Sequence, residues 1–114
     1  MKIRQIANLL NAEVLCGGAL LDEEAHSACG SDMMSDVLAY VKDQAVLITG
    51  LVNPQVVRTA MMMDMRCIVF VRGKRPSPEI VALAGENHIA VLVSAYRMYE
   101  ACGTLYANGL GTEA

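Results

Sequence analysis

Aromatic side chains are scarce: tryptophan is absent, phenylalanine occurs once and tyrosine four times in 114 residues. The apolar content of 54% is carried instead by Val, Leu, Ala, Met and Ile. Positive charge is not in excess either. Nine Lys and Arg stand against twelve Asp and Glu, a net −3 with a pI near 5.2, which leaves no electrostatic case for nucleic acid or an anionic membrane as partner. No apolar run reaches the length of a membrane span. The start, Met1-Lys2-Ile3-Arg4-Gln5, lacks the apolar stretch of a signal peptide, so a cytoplasmic location is expected. The four cysteines, at 16, 29, 67 and 102, make no Cys-x-x-Cys of the kind that zinc ribbons and redox enzymes use. Cys67 and Cys102 read as reduced, buried small hydrophobes. Gly-x-x-x-x-Gly-Lys-Ser/Thr and Gly-x-Gly-x-x-Gly are both missing, so phosphoryl transfer from ATP has no visible machinery.

What is present fits one domain over residues 1–114, with enough apolar content to bury roughly two thirds of its unfolded surface. Ile3, Ile6, Ala7 and Leu10 recur on one helical face. Residues 13–16 read as a short extended segment closed by a turn at Gly17–Gly18, and residues 24–29 as a further weak strand. Ser31 or Asp32 can cap a helix with the inner stripe Met34, Val37, Leu38 and Val41. Three strand–helix units follow. Residues 45–49, 67–71 and 89–93 are apolar runs, and Asn53–Pro54 and Ser77–Pro78 each give a cap followed by proline at the first helical position. Ser94 can cap the last helix, whose expected buried stripe is Met98, Cys102, Leu105 and Tyr106. Continuously apolar strands alternating with helices predict an α/β fold: a small layered sandwich with a mainly parallel sheet, preceded by a helix and one or two extra strands. Met61, Met62, Met63 and Met65 span more of a helix than one face can hide, so at least one should be exposed or lie in a dimer interface.

Ligands of open parallel sheets bind beyond the carboxyl ends of the strands. Those ends are Thr49–Gly50, Arg72-Gly73-Lys74-Arg75 and Ser94. Arg72, Lys74 and Arg75 crowd onto a Gly-containing loop that leads into the helix start at Ser77, which suits a phosphate or carboxylate; a solvated basic loop is the plainer alternative. Gly50 would let a ligand approach the backbone. The segment Ser31-Asp32-Met33-Met34-Ser35-Asp36 holds two Ser-Asp pairs. One pair is enough for a cap, which makes Ser31, Asp32, Ser35 and Asp36 a candidate partner-binding surface; a cap with a solvated helix start is the plainer alternative. His26 and Cys29 point to opposite faces if they lie on a strand, which argues against a metal site. Asp22, Glu23 and Glu24 read as a solvated turn, and no nucleophile–base pair with an orienting group is recognisable.

The opening helix, the 13–17 segment, Leu47-Ile48-Thr49-Gly50, and Arg75-Pro76-Ser77-Pro78-Glu79-Ile80 with Leu83-Ala84 together resemble the DRTGG domain over nearly the whole chain. That family is similar to the N-terminal domain of HPr kinase/phosphorylase, and it occurs as a regulatory insert in some phosphate acetyltransferases and between CBS domains of certain inorganic pyrophosphatases. The Ser31–Asp36 stretch with Val37-Leu38 looks more like stand-alone members encoded near iron-only hydrogenases. Where the family commonly has Gly-Asp-Arg, Gly50 is followed by Leu51 and Val52; where it has Thr-Gly-Gly, Arg72, Gly73 and Lys74 stand. The resemblance implies a regulatory module rather than a defined chemistry. The expectation is a non-catalytic regulatory or adaptor domain, homodimeric and without cofactor or metal. It would bind a nucleotide or phosphate at Thr49, Gly50, Arg72, Gly73, Lys74, Arg75 and Ser77, or else a partner enzyme. The alternative is a structural interaction protein assisting a redox or hydrogenase complex.

Overall fold

The computed structural model describes residues 1–40 and 45–111, Tyr40 by its backbone alone. The chain begins with helix α1 (Ile3–Leu9) and strand β1 (Glu13–Cys16), followed by a 3-10 turn at Gly18–Leu20 and strand β2 (Ser27–Gly30). Helix α2 (Met34–Tyr40) precedes β3 (Ala45–Thr49), α3 (Pro54–Met62), β4 (Cys67–Phe70), α4 (Pro78–Glu86), β5 (Ala90–Val93) and α5 (Met98–Ala107). The five strands lie in the order β1-β5-β4-β3-β2. All neighbours are parallel except β1, which runs antiparallel along β5. The fold is α/β, and both extra strands are present, one at each edge.

The three central strands are buried at every position because helices cover both faces of the sheet. Val46, Ile48, Val69 and Leu92 meet Ile3, Ile6 and Leu10 of the first helical segment and Leu105 of α5. Leu47, Ile68, Phe70 and Val91 meet Val37 of α2, Val56 and Val57 of α3, and Ile80 of α4. Successive strand residues thus feed two cores, which is why these runs show no polar alternation.

Several sequence expectations shift. The second extra strand starts at Ser27 rather than at residue 24, because the preceding residues are used in tying the chain to α1: Ala25 N–H donates to the Met1 carbonyl at 2.7 Å and Lys2 bridges to Glu24. Leu38 is 42% exposed, so the inner side of α2 rests on Met34 and Val37 alone among the described residues; Val41, also expected there, lies outside them. Of the stripe expected on α5, Leu105 is buried, Met98 and Cys102 are only partly buried and Tyr106 is 69% exposed, with Ala101 turned inward in its place. Ser94 does not cap α5; that position falls to Arg97. The Ser94 hydroxyl is fully buried, donating to the Leu10 carbonyl at 2.8 Å and accepting the Tyr96 N–H at 3.1 Å. Of the methionine group, Met65 is buried while Met61 and Met62 are exposed. Among the described residues, no helix is long and apolar enough to cross a membrane.

Candidate functional site

Parallel pairing brings the carboxyl ends of β2, β3 and β4 side by side, and the residues that follow each strand meet there. After β2, Ser31 still donates its N–H to the Ile48 carbonyl (3.0 Å), and its hydroxyl accepts the Met33 N–H at 2.9 Å. This tight turn sends Asp32 across the end of β3. Asp32 Oδ1 accepts the Gly50 N–H at 2.8 Å and the Thr49 hydroxyl at 3.0 Å, while Oδ2 faces Arg72 Nη2 at 3.4 Å. Thr49 Oγ1 in turn accepts the Leu51 N–H at 3.1 Å. The guanidinium lies directly over Gly50, and any β-carbon at that position would collide with it. Glycine here leaves room for the guanidinium rather than making a turn; a larger residue would have to displace the Arg72 side chain.

Arg72 and Gly73 both adopt left-handed backbone, φ 60° and 65°. That is unfavourable for arginine, and the loop holds it in place: Arg72 N–H donates to the Tyr96 carbonyl at 2.7 Å and Gly73 N–H to the Ser94 carbonyl at 2.9 Å. Both amides are therefore occupied by the β5–α5 connection, and the anion-facing donors are the side chains and the Gly50 N–H. Lys74 follows on the same loop, exposed and without an ion pair among the described residues.

Sequence reasoning divides these residues between a ligand site and a partner site. The structure gathers Asp32 with Thr49, Gly50 and Arg72, with Gly73 and Lys74 on the adjoining loop. It does not bring in the others. Arg75 reaches along the rim to the edge strand and forms a two-point pair with Glu13, at 3.2 and 2.9 Å, which holds the Glu13 carboxyl below its ordinary range. The Ser77 hydroxyl accepts the Ile80 N–H and caps α4. Ser35 and Asp36 stay exposed on α2. The Asp32 contacts are the part that sequence reasoning missed. Their only signal was the surplus Ser-Asp pair.

Other candidate chemistry is accounted for structurally. Asp22 pairs with Arg4, Glu23 with Arg66 and Glu24 with the terminal ammonium, so the acidic turn fastens a loop. Among the described residues no group of His, Cys, Asp and Glu comes together to hold a metal. Burial pushes the Cys67 thiol up to about 12 and raises Cys16, Cys29 and Cys102 as well, the opposite of what a nucleophilic thiolate needs. A cleft of about 420 Å³ opens between the β2 edge and α5, over Ile48, Leu105 and Leu110. None of its lining residues is charged.

The DRTGG domain model matches residues 5–107. The chain belongs to the DRTGG domain family. No curated protein sequence matches this DRTGG domain. Among solved structures it is similar to the CBS and DRTGG domains of the regulatory region of Clostridium perfringens pyrophosphatase, complexed with the activator diadenosine tetraphosphate. The TM-score is 0.75 at 17% identity, over 91% of this chain and 45% of that one. At that identity the likeness speaks for the fold, and this DRTGG domain spans less than half the length of its neighbour.

Proposed function

We propose that this DRTGG domain is a non-catalytic regulatory module that binds a phosphate-bearing anion, a nucleotide being the natural class, at the carboxyl rim of its parallel sheet. One observation carries the reading: the Gly50 N–H, the Thr49 hydroxyl and the Arg72 guanidinium converge on a single anionic group, the Asp32 carboxylate. Donors that hold a carboxylate in this way have the charge and direction to hold a phosphate oxygen. The strained Arg72 backbone, fastened to the Tyr96 carbonyl with Gly73 fastened to that of Ser94, fits a loop shaped for a site. A regulatory region that combines CBS domains with a domain of this fold is complexed with a nucleotide activator, which supports the ligand class.

The test is a thermal-shift series on the full chain with ATP, diadenosine tetraphosphate and inorganic tripolyphosphate. A ligand at a hundred times its dissociation constant adds about 2.7 kcal/mol, a rise of several degrees. Arg72→Ala should abolish the shift and Lys74→Ala reduce it. A flat response to all three at low ionic strength overturns the reading.

A second reading, a homodimeric interaction protein that docks on a redox enzyme of the hydrogenase kind, is favoured by Met33 and Leu38, apolar and 61% and 42% exposed beside Ser35 and Asp36. Sedimentation at rising concentration and loss of partner capture by Asp36→Asn would support it; a monomer indifferent to that substitution would remove it.

A further inference from the structure

A phosphate arriving at the Thr49–Gly50–Arg72 cradle meets an anion already in place. Asp32 takes the Gly50 N–H and the Thr49 hydroxyl with one oxygen and turns the other to Arg72. The neighbouring amides cannot widen the cradle, because Leu51, Arg72 and Gly73 donate to Thr49 Oγ1, the Tyr96 carbonyl and the Ser94 carbonyl. A second anion must either crowd the carboxylate at like charge or replace it. We infer that Asp32 is an internal surrogate for the ligand's anionic group, and that a polyphosphate binds by displacing it. The inference rests on the anion-site reading above and adds the means by which the site selects and responds.

Asp32 is suited to leave. Its side chain and that of Arg72 are each 46% exposed, and their contact is the longest of the three, so a released carboxylate is rehydrated at once. It belongs to the Ser31–Met33 turn, ahead of α2, and is free of helical constraint. An intramolecular carboxylate competes at an effective concentration of roughly millimolar or more, which shuts out acetate-like monoanions of the same chemistry. A polyphosphate brings several charges to Arg72 and also to Lys74, which has no ion pair among the described residues. Displacement also frees the turn that leads into α2 from its side-chain ties to Thr49, Gly50 and Arg72, giving ligand binding a mechanical consequence.

The experiment is calorimetric titration of the full chain with inorganic tripolyphosphate at low ionic strength, comparing wild type with Asp32→Asn, Asp32→Ala, Arg72→Ala and the Asp32→Asn/Arg72→Ala double variant. Asp32→Asn keeps an oxygen for Gly50 and Thr49, and so serves if the alanine variant fails to fold. Removing the competing charge should tighten binding about tenfold, and the gain should vanish in the double variant. If wild type binds and both Asp32 variants bind equally or more weakly, Asp32 is not a competitor: the inference falls and the anion site stands. A gain that survives in the double variant is a general charge effect and also overturns the inference. If neither wild type nor Asp32→Asn binds, the anion-site reading itself has failed.

Discussion

Gly17 and Gly50 are both closely approached by other atoms, yet substituting them should have different consequences. Gly17 has φ 84°, and a β-carbon there would lie 2.5 Å from the Ala90 Cα and 3.0 Å from its nitrogen. Both obstacles are main chain of β5, just beyond the shift in the β1–β5 register between Val14 and Cys16, so nothing can yield without moving a central strand. Gly17→Ala should cost about 3 kcal/mol, the sum of left-handed strain and steric overlap. Urea denaturation should show the midpoint falling with an unchanged slope, and a loss under about 1 kcal/mol would contradict this account. At Gly50 the obstacle is the flexible end of Arg72, so alanine there should spare stability and dislodge the guanidinium. The sequence marks Gly17–Gly18 as a turn. It gives no sign that the turn abuts Ala90, a contact made only when β1 doubles back along β5.

Among the elements, the interplay of Ser94 with its neighbours shows what local pattern can and cannot say. Asn53 and Ser77 are legible as caps because proline follows each and fixes the first helical residue; their side chains indeed accept the Gln55 and Ile80 N–H groups. Ser94 has no such marker. The chain needs Ala95, Tyr96 and Arg97 to turn from strand to helix, so its hydroxyl bridges Leu10 and Tyr96 instead. Ser94→Ala leaves a buried carbonyl and an amide without that partner and should destabilise by about 2 kcal/mol, measurable by chemical denaturation; a change within about 0.5 kcal/mol would mean that water or a shifted loop serves both groups. The same logic divides the rest of the fold. β3, β4 and β5 were legible because burial on both faces makes them uniformly apolar. β2 was blurred because an edge strand alternates in exposure. The strand order cannot be read from periodicity at all, so the meeting of Asp32, Gly50 and Arg72 had no local signature, although Arg72-Gly73-Lys74 and Thr49–Gly50 stood out separately as strand ends.

Across the whole molecule, charge works chiefly as fastening. The terminal ammonium holds Glu24, Arg4 holds Asp22, and Arg75 holds Glu13 on the edge strand. Each cation lowers its carboxyl partner, by hydrogen bonding first and by charge second for Asp22 and Glu13, and chiefly by the hydrogen bond from the ammonium for Glu24. A carboxyl whose folded value lies below its unfolded one adds stability that is complete above the unfolded value. That stability is lost as pH falls through the folded value. With unfolded values of 4.5 for Glu13 and Glu24 and 3.8 for Asp22, the loss begins near pH 5 and deepens toward pH 3 and below. The melting temperature should therefore stay level from pH 7 to about 5 and fall below it. All three side chains are more than half exposed, so the fall should become shallower in about 1 M salt, where screening reaches about 3 Å. Glu13→Gln should remove part of the acid slope and leave the neutral plateau little changed, because an exposed pair contributes little of its own. A melting temperature level down to pH 3 would show that these pairs do not hold the loops they join, which would leave the rim to backbone bonds such as Arg72–Tyr96 and Gly73–Ser94.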